Sequence, residues 1–153
     1  MQRLPYFIIA SFVVGLDRLL KSWADHSLIL AQPRPLIGQA IRLTRVHNVG
    51  GAFGLSFGNG ILFLAVSSAV AIGLIVVISA FPPRGTILKA GLSLVLGGAI
   101  GNLIDRLTFG YVLDFFEIRG FPVFNLADAC ITVGVGVILI HMLFGGGHHR
   151  SQG

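Results

Sequence analysis

Long uncharged stretches separated by short polar segments dominate the pattern of this 153-residue chain. Residues 61–81 contain no charged side chain and are followed by two prolines. Residues 86–107 and 124–144 are similar in length, and their charges lie mainly near their ends. A helix needs about 20 mostly apolar residues to cross the hydrocarbon core of a bilayer. The pattern therefore predicts three membrane-spanning helices in these segments.

The N-terminal segment is a fourth candidate, although charges follow it closely. Residues 4–16 are apolar, and Asp17 and Lys21 come soon after. A cleaved signal peptide with Arg3 as its charged start is an alternative, but no small-x-small cleavage site follows the apolar run. Asp17 and Lys21 are four residues apart, so a continuing helix would place them on one face. We therefore predict a retained first helix over residues 5–23 and four spans in total.

The segment between the first two predicted spans, about residues 24–60, is not membrane-like. Residues 41–49 alternate imperfectly with a period of two. Apolar residues 28–30 and 36–37 flank a predicted turn at residues 33–35, Pro-Arg-Pro. This pattern predicts a small antiparallel sheet lying on the membrane.

Glycine marks two segments as irregular. Residues 48–60 contain five glycines, which favours a loop leading into the second span. Residues 145–153 are rich in glycine and histidine, and we expect a disordered tail. His148 and His149 are adjacent but lack further ligands, so the sequence predicts no metal site there.

Composition agrees with a single membrane-embedded domain over residues 1–153. The chain is 54% hydrophobic and 11% charged, whereas soluble domains carry roughly a quarter charged residues. The net charge is +5, but the basic residues are scattered, so attraction to anionic membrane lipids explains them better than nucleic-acid binding. Cys130 is the single cysteine, which excludes an internal disulfide.

The distribution of basic residues predicts an orientation in which the termini lie outside the cell. The side with the termini would hold Arg3, Arg84, Lys89 and Arg150. The other side would hold Arg18, Lys21, Arg34, Arg42, Arg45, Arg106 and Arg119.

Acidic residues are few and concentrated at one predicted membrane face. Five of the six lie there: Asp17, Asp105, Asp114, Glu117 and Asp128. A carboxylate in the apolar core costs about 2.5–3.5 kcal/mol even on lenient scales, so polar groups near it need a reason. Asn102, Asp105 and Arg106 share a face of the third helix, and Asn125 lies one turn before Asp128.

Asp114, which we predict in an apolar loop, and Asp128, near the start of the last span, have no basic neighbour in the sequence and lie among apolar residues, which disfavours their ionisation. Two carboxyls brought together share a proton, so that one can deprotonate water while the other polarises a carbonyl. The chain has no His-Glu-x-x-His or phosphate-binding motif. We therefore predict an aspartic peptidase, with Asp105 an equally good candidate by composition. Asp17 and Lys21 are equally well explained as an interfacial ion pair.

Two other classes of function remain open. A transporter or proton channel also carries intramembrane carboxylates, usually nearer mid-span. A non-enzymatic scaffold would use them only for helix association. Gly97 and Gly101 form a small-xxx-small pair, which predicts close approach of a neighbouring helix.

Five sequence blocks resemble the bacterial lipoprotein signal peptidase family, also called type II signal peptidases. The blocks are DRLLK at 17–21, NVGGAF at 48–53, GGAIGNLIDR at 97–106, VLDF at 112–115 and FNLAD at 124–128. They occur in the family's order and cover nearly the whole chain. Two departures are small: Gly51 replaces the usual alanine, and the segment between Asp114 and Asn125 is short.

The resemblance implies an all-α membrane protein with four transmembrane helices, a small extracytoplasmic antiparallel sheet and cytoplasmic termini, against the count of basic residues. It implies an aspartic endopeptidase of the bacterial cytoplasmic membrane that cleaves diacylglyceryl-modified prolipoproteins before the lipidated cysteine. It further implies inhibition by globomycin-type peptides, and we expect a monomer without metal or cofactor. Asp114 and Asp128 match the family's catalytic dyad. Its supporting positions match Asp17, Lys21, Asn48, Asn102, Asp105, Arg106 and Asn125. Asp25 and Glu117 receive no role.

Overall fold

The computed structural model describes residues 2–52, 55–56 and 60–144, and this part of the chain is mostly helical. Its helices are α1 (Leu4–Ser27), α2 (Gly60–Ala80), α3 (Thr86–Phe109) and α4 (Leu126–Phe144). Its strands are β1 (Arg34–Ile37), β2 (Ile41–Asn48), β3 (Gly51–Ala52), β4 (Leu55–Ser56) and β5 (Val112–Ile118). The predicted disordered tail lies outside the described residues, as does part of the predicted 48–60 loop.

Among the described helices, α2, α3 and α4 are long and apolar enough to cross a membrane. Large apolar side chains such as Ile61, Phe81 and Phe144 are exposed on the outside of the bundle. Such a surface suits lipid rather than water, and the protein is membrane-bound. Helix α1 has 24 residues, four more at its C-terminal end than predicted, but it carries several charges.

Glycines on α3 and α4 let the helices approach closely. A Cβ atom on Gly97 would lie 2.7 Å from the Val13 Cβ of α1, and one on Gly101 would lie 2.8 Å from the Asp17 Oδ2. A Cβ atom on Gly134 of α4 would lie 2.7 Å from the Gly91 carbonyl oxygen. The close approach predicted from Gly97 and Gly101 is thus confirmed, and α3 packs between α1 and α4.

Strands β1, β2 and β5 form an antiparallel sheet in that order. Two neighbouring pairs matter for the site, since Val46 lies opposite Asp114 and Asn48 lies opposite Val112. A cluster of buried apolar side chains attaches the sheet to the end of α1: Ala24, Leu28, Leu43, Leu113 and Phe115. The predicted antiparallel sheet is confirmed, and it is fixed to the helix bundle rather than being a separate unit.

Two local predictions about the sheet are wrong. Asp114 is expected from the sequence in an apolar loop but lies in β5, because Val, Phe and Ile side chains favour a pleated strand once β2 supplies a partner. The turn predicted at residues 33–35 lies instead at residues 38–40, where Gly38 has a φ of +53°. Pro35 is tolerated in β1 because an edge strand leaves one side unpaired.

The glycine contacts predict a difference between two positions on α4. We expect Gly134→Ala to destabilise the protein by about 1–3 kcal/mol, because the new methyl group would overlap the Gly91 carbonyl. At Gly136 the position of a new methyl group has no other atom within 4 Å, so Gly136→Ala should be neutral or stabilising by up to about 1 kcal/mol. Unfolding in detergent measures both. Equal effects would contradict the packing described.

Candidate active site

One hydrogen-bonded network contains eight of the nine site residues predicted from the sequence. Its members come from three helices, two strands and the residue before α4: Asp17, Lys21, Asn48, Asn102, Asp105, Asp114, Asn125 and Asp128. Most of them are buried. The network has two parts, an ion cluster and a pair of carboxyls joined to it by asparagines.

Lys21 is the centre of the ion cluster. Its Nζ atom lies 2.9 Å from Asp17 Oδ2, 2.8 Å from Asp105 Oδ2 and 2.9 Å from Asn102 Oδ1. The side chain is only 3% exposed, and both carboxylates are almost fully buried. Charges at such depth are tolerated only when they are paired and hydrogen-bonded, a condition that this geometry meets.

Arg18 is a member of the cluster that is not among the predicted site residues. Its guanidinium lies 2.6 Å from Asp105 Oδ1 and 3.0 Å from Asp17 Oδ2. Two cations therefore face two carboxylates, which balances the charge inside the bundle. Its position next to Asp17 in DRLLK could have identified it as a site residue. From the sequence alone, Arg18 enters only the count of basic residues that predicts the orientation in the membrane.

The two carboxylates of the cluster also bind backbone N–H groups. Asp17 Oδ1 accepts a hydrogen bond of 3.1 Å from the amide of Ala127, in the first turn of α4. Asp105 Oδ2 accepts one of 3.1 Å from the amide of Leu113, at the start of β5. The cluster thereby fixes the positions of the two elements that carry Asp128 and Asp114.

Asn102 and Asn125 connect the cluster to the other two carboxyls. The amide of Asn102 donates to Asp128 Oδ1 at 2.7 Å, while its oxygen accepts from Lys21 and from Asn125. The amide of Asn125 donates to Asp114 Oδ1 at 2.6 Å. Each asparagine therefore uses both ends of its side chain, which fixes its orientation.

Asn125 and Asp128 also cap the N-terminus of α4 reciprocally. The Asp128 amide donates to Asn125 Oδ1 at 2.9 Å, and the Asn125 amide donates to Asp128 Oδ2 at 3.3 Å. This is the geometry of a capping box. Asp128 consequently sits in the first turn of α4, where the helix dipole stabilises a negative charge.

Asp114 occupies a different environment. It is 1% exposed, and its oxygens accept hydrogen bonds from the amides of Asn48, at 2.9 Å, and Asn125. Burial, and then the nearby charge of Asp128, raise the pKa of Asp114 to about 7, although the two amide hydrogen bonds lower it. Asp114 can therefore keep its proton up to a pH of about 7, within the same hydrogen-bonded network as Asp128.

Arg106 is the predicted site residue that the network does not include. Its guanidinium donates to Ser67 Oγ at 2.9 Å and lies 5.9 Å from the centre of the Phe63 ring, both on α2. Its positive charge still acts on Asp128 and Asp114 through space. Arg106 therefore connects α2 to the neighbourhood of the two carboxyls without touching either.

The two acids without a predicted role have partners elsewhere. Asp25, at the end of α1, forms an ion pair with Arg45 of β2, whose guanidinium also donates to the Asp25 carbonyl at 2.8 Å. Glu117 of β5 accepts hydrogen bonds from Thr44 and Arg42, which lower its pKa. Both pairs join sheet strands to each other or to α1, and neither is hydrogen-bonded to the network.

An apolar cavity of about 390 Å³ opens beside Asp128. Its walls are formed by Ile118, Phe121, Phe124, Ala129, Thr132 and Val133. Its rim is exposed on the outer surface of the bundle, and the Thr132 hydroxyl donates to the Asp128 carbonyl of its own helix. The cavity therefore suits an apolar group. Within the described ranges, no three His, Cys, Asp or Glu side chains form a group that could hold a metal ion.

Comparison with known proteins gives concordant matches over almost the whole chain. A family model described as signal peptidase (SPase) II matches residues 9–144. A lipoprotein signal peptidase from Moorella thermoacetica is 41% identical over 97% of this chain and 99% of its own length. One from Bacillus subtilis is 34% identical over 96% and 98%, respectively.

Solved structures agree with these sequence matches. A bacterial membrane enzyme determined by the in meso method at 2.3 Å superimposes with a TM-score of 0.86 and 28% identity, covering 97% of this chain and 93% of its own. A second, determined at 1.9 Å, gives a TM-score of 0.81 and 29% identity over 91% and 92%. The fold is therefore that of these membrane enzymes.

The ion cluster predicts a large cost for removing its central cation. Lys21→Met should destabilise the protein by about 3–5 kcal/mol, because Asp17 and Asp105 would lose a buried partner. Adding Asp17→Asn should recover part of the loss, since one uncompensated charge disappears. Unfolding in detergent provides the measurement. Lys89→Met is the control, because Lys89 faces the Tyr6 ring at 5.8 Å and should cost no more than about 1 kcal/mol. A Lys21→Met variant as stable as the control would refute the role of the cluster.

Proposed function

This chain belongs to the signal peptidase II family, and we propose that it is an aspartic endopeptidase with Asp114 and Asp128 as its catalytic pair. Membership makes it a membrane protease that removes signal peptides from prolipoproteins. We further propose that its substrates are diacylglyceryl-modified and that it cuts immediately before the lipidated cysteine. The observation that carries the catalytic assignment is the shared contact with Asn125: this residue donates to Asp114 and caps α4 together with Asp128.

We assign Asp128 as the ionised base and Asp114 as the acid. Asp128 accepts hydrogen bonds from the Asn102 side chain and from the backbone amide of Asn125, and it lies in the first turn of α4, where the helix dipole favours a negative charge. Asp114 is more deeply buried and holds its proton up to a pH of about 7. Environments that separate two neighbouring carboxyls in this way are typical of acid–base pairs.

The reaction then needs one water molecule and four proton transfers, two during attack and two during collapse. Asp128 takes a proton from water as the water oxygen bonds to the scissile carbonyl carbon, and Asp114 gives its proton to the carbonyl oxygen. When the tetrahedral intermediate collapses, the C–N bond breaks and the proton on Asp128 passes to the leaving nitrogen. Asp114 recovers its proton from the hydroxyl of the intermediate, so both groups return to their starting states.

Other predicted site residues hold these two carboxyls in position. We propose that Asn48, Asn102 and Asn125 orient the two carboxyls, while the Lys21 cluster holds their elements in place. Arg106 adds a positive charge near both acids. The apolar cavity beside Asp128 opens on the lipid-facing surface, which suits a substrate that reaches the site from the bilayer.

We propose that α1 is a fourth transmembrane helix. At 1.5 Å per residue its 24 residues extend about 36 Å, enough to span the hydrocarbon core. Asp17 and Lys21 face inward and are buried, whereas apolar side chains such as Phe12 and Leu19 face outward. The termini would then lie in the cytoplasm of a bacterial cell and the sheet outside it, in a monomer that needs no cofactor.

Replacing either proposed catalytic residue tests the assignment. Asp114→Asn and Asp128→Asn should each lower kcat by at least about 100-fold, because neither amide can exchange the required proton. Cleavage of a lipidated prolipoprotein in detergent or lipid, with and without globomycin, measures the loss. Asp25→Asn is the matched control and should stay within about twofold, because Asp25 pairs with Arg45 and makes no hydrogen bond to either proposed catalytic residue.

Appreciable cleavage by both single variants would refute the pair. Proton flux in liposomes without peptidase activity would instead favour the transporter interpretation. A loss of stability, in a protein that never cleaves, would favour a scaffold in which the carboxyls serve only helix association.

The raised pKa of Asp114 predicts the alkaline limit of activity. Because the protonated form is the acid, kcat/KM should be maximal below this pKa and fall as pH rises through about 7. The hydrogen bond from Asn48 lowers the pKa of Asp114, so Asn48→Ala should move this limb to higher pH. Thr44→Ala, in the middle of β2, should leave the limb in place, because the Thr44 hydroxyl donates to Glu117 and not to Asp114. A limb that Asn48→Ala moves to lower pH would contradict the assignment.

A further inference from the structure

The adjoining ends of β2 and β5 carry interactions on both faces of the sheet. Asn48 lies opposite Val112, and its amide reaches diagonally across to Asp114, which is one of the proposed catalytic residues. Successive side chains of a strand point to opposite faces. His47 therefore lies on the reverse face, behind this hydrogen bond.

On the reverse face, His47 makes a second diagonal contact. Its ring stacks on that of Tyr111, with 3.9 Å between ring centres and 16° between ring planes. Tyr111 is itself 5.7 Å from the ring of Phe109, the last residue of α3. Diagonal cross-strand pairs of aromatic side chains stabilise the pairing of their strands. The three rings thus connect the end of α3 to the start of β5 and the end of β2.

Both strand ends adjoin glycines that would otherwise leave them poorly constrained. Gly50 and Gly51 follow within three residues of Asn48, and Gly50 has a φ of +109°. Gly110 precedes Tyr111 and has a φ of +78°. Glycine contributes no side-chain packing, so the rings supply the contact that keeps these two ends in register.

His47 also has the neutral ring that favours stacking. Burial and the positive charge of Arg45 lower its pKa, which keeps the imidazole neutral at neutral pH. Arg45 approaches the imidazole Nε2 at 3.4 Å from within the same strand. A neutral ring lies face to face with Tyr111 without bringing a second charge beside the arginine.

We propose that His47 is a positioning residue for the peptidase reaction. Its stack on Tyr111 keeps the ends of β2 and β5 in register, and this register sets the reach of Asn48 to Asp114 on the other face. The inference rests on the proposed function of Asp114. The proposed role depends on the flat shape of the His47 ring and not on proton transfer by it, because a Phe side chain could make the same stack on Tyr111.

Three variants separate this role from a general loss of structure. His47→Ala removes the stack and should lower kcat about five- to tenfold with little change in KM. His47→Phe keeps a flat ring and should restore kcat to within about twofold of the unsubstituted protein. His26→Ala is the control, because His26 contacts the Ser22 carbonyl in the last turn of α1 and takes no part in the stack.

The pH profile provides a readout that a purely structural residue would not change. If His47→Ala releases Asn48, Asp114 loses a hydrogen bond that lowers its pKa, and the alkaline limb should move to higher pH. The shift should have the same direction as that of Asn48→Ala, and His47→Phe should not show it. Tyr111→Ala should act like His47→Ala, and combining the two should add little further loss.

Two results would overturn the inference. One is a His47→Ala variant with unchanged kcat and pH profile, and the other is a His47→Phe variant as impaired as His47→Ala. Either result leaves the catalytic pair intact as long as Asp114→Asn abolishes cleavage by the same preparation. An unsubstituted protein that fails to cleave would instead count against the proposed function itself.

Discussion

The burial of charge in an apolar bundle is the constraint on which the rest of this structure depends. Asp17, Lys21 and Asp105 are almost fully enclosed, and Arg18 balances the remaining charge. Isolated ions at such depth would be far too costly, so every oxygen of the two carboxylates has a donor. Two of these donors are backbone amides of α4 and β5. The hydrogen bonds that stabilise the buried charges therefore also fix the two elements that carry Asp128 and Asp114.

Close helix packing allows this buried ion cluster to form. Asparagine and aspartate have short side chains, so they can meet across helices only where the backbones are near each other. Gly101 faces Asp17, and Gly91 faces Gly134, which brings both α1 and α4 against α3. The glycines thus have a chemical consequence as well as a packing one, because they determine which polar side chains can reach each other.

The sequence predicted the helices well because a membrane span has a strong local signature. Residues 61–81 lack charge, and the structure has α2 at Gly60–Ala80. The strand containing Asp114 was not predicted, because β5 depends on pairing with β2, about 66 residues earlier, as the Asn48–Asp114 bond illustrates. The position of the turn between β1 and β2 was wrong for a related reason, since Pro35 is permitted only by the edge position of β1.

Prediction of the candidate site had a similar limit. Helical spacing alone placed Asn102 near Asp105 and Asn125 near Asp128, and the structure joins all four in one network. Composition alone did not distinguish Asp105 from Asp114, because the difference depends on cations that come from another helix. Arg18 was missed for the same reason: its partner Asp105 lies far away in sequence.

The bond between Asp17 and the Ala127 amide spans 110 residues, and this distance has a consequence for the order of assembly. Helix α1 is synthesised long before α3 and α4, so Asp17, Arg18 and Lys21 are present before their second carboxylate partner, Asp105, has been made. Asp105 joins them when α3 arrives, and the amide of α4 occupies the last carboxylate oxygen. A chain that stops short of α4 holds the charges but never brings the two proposed catalytic residues together. With the proposed catalytic pair, cleavage therefore cannot begin before α4 has been synthesised.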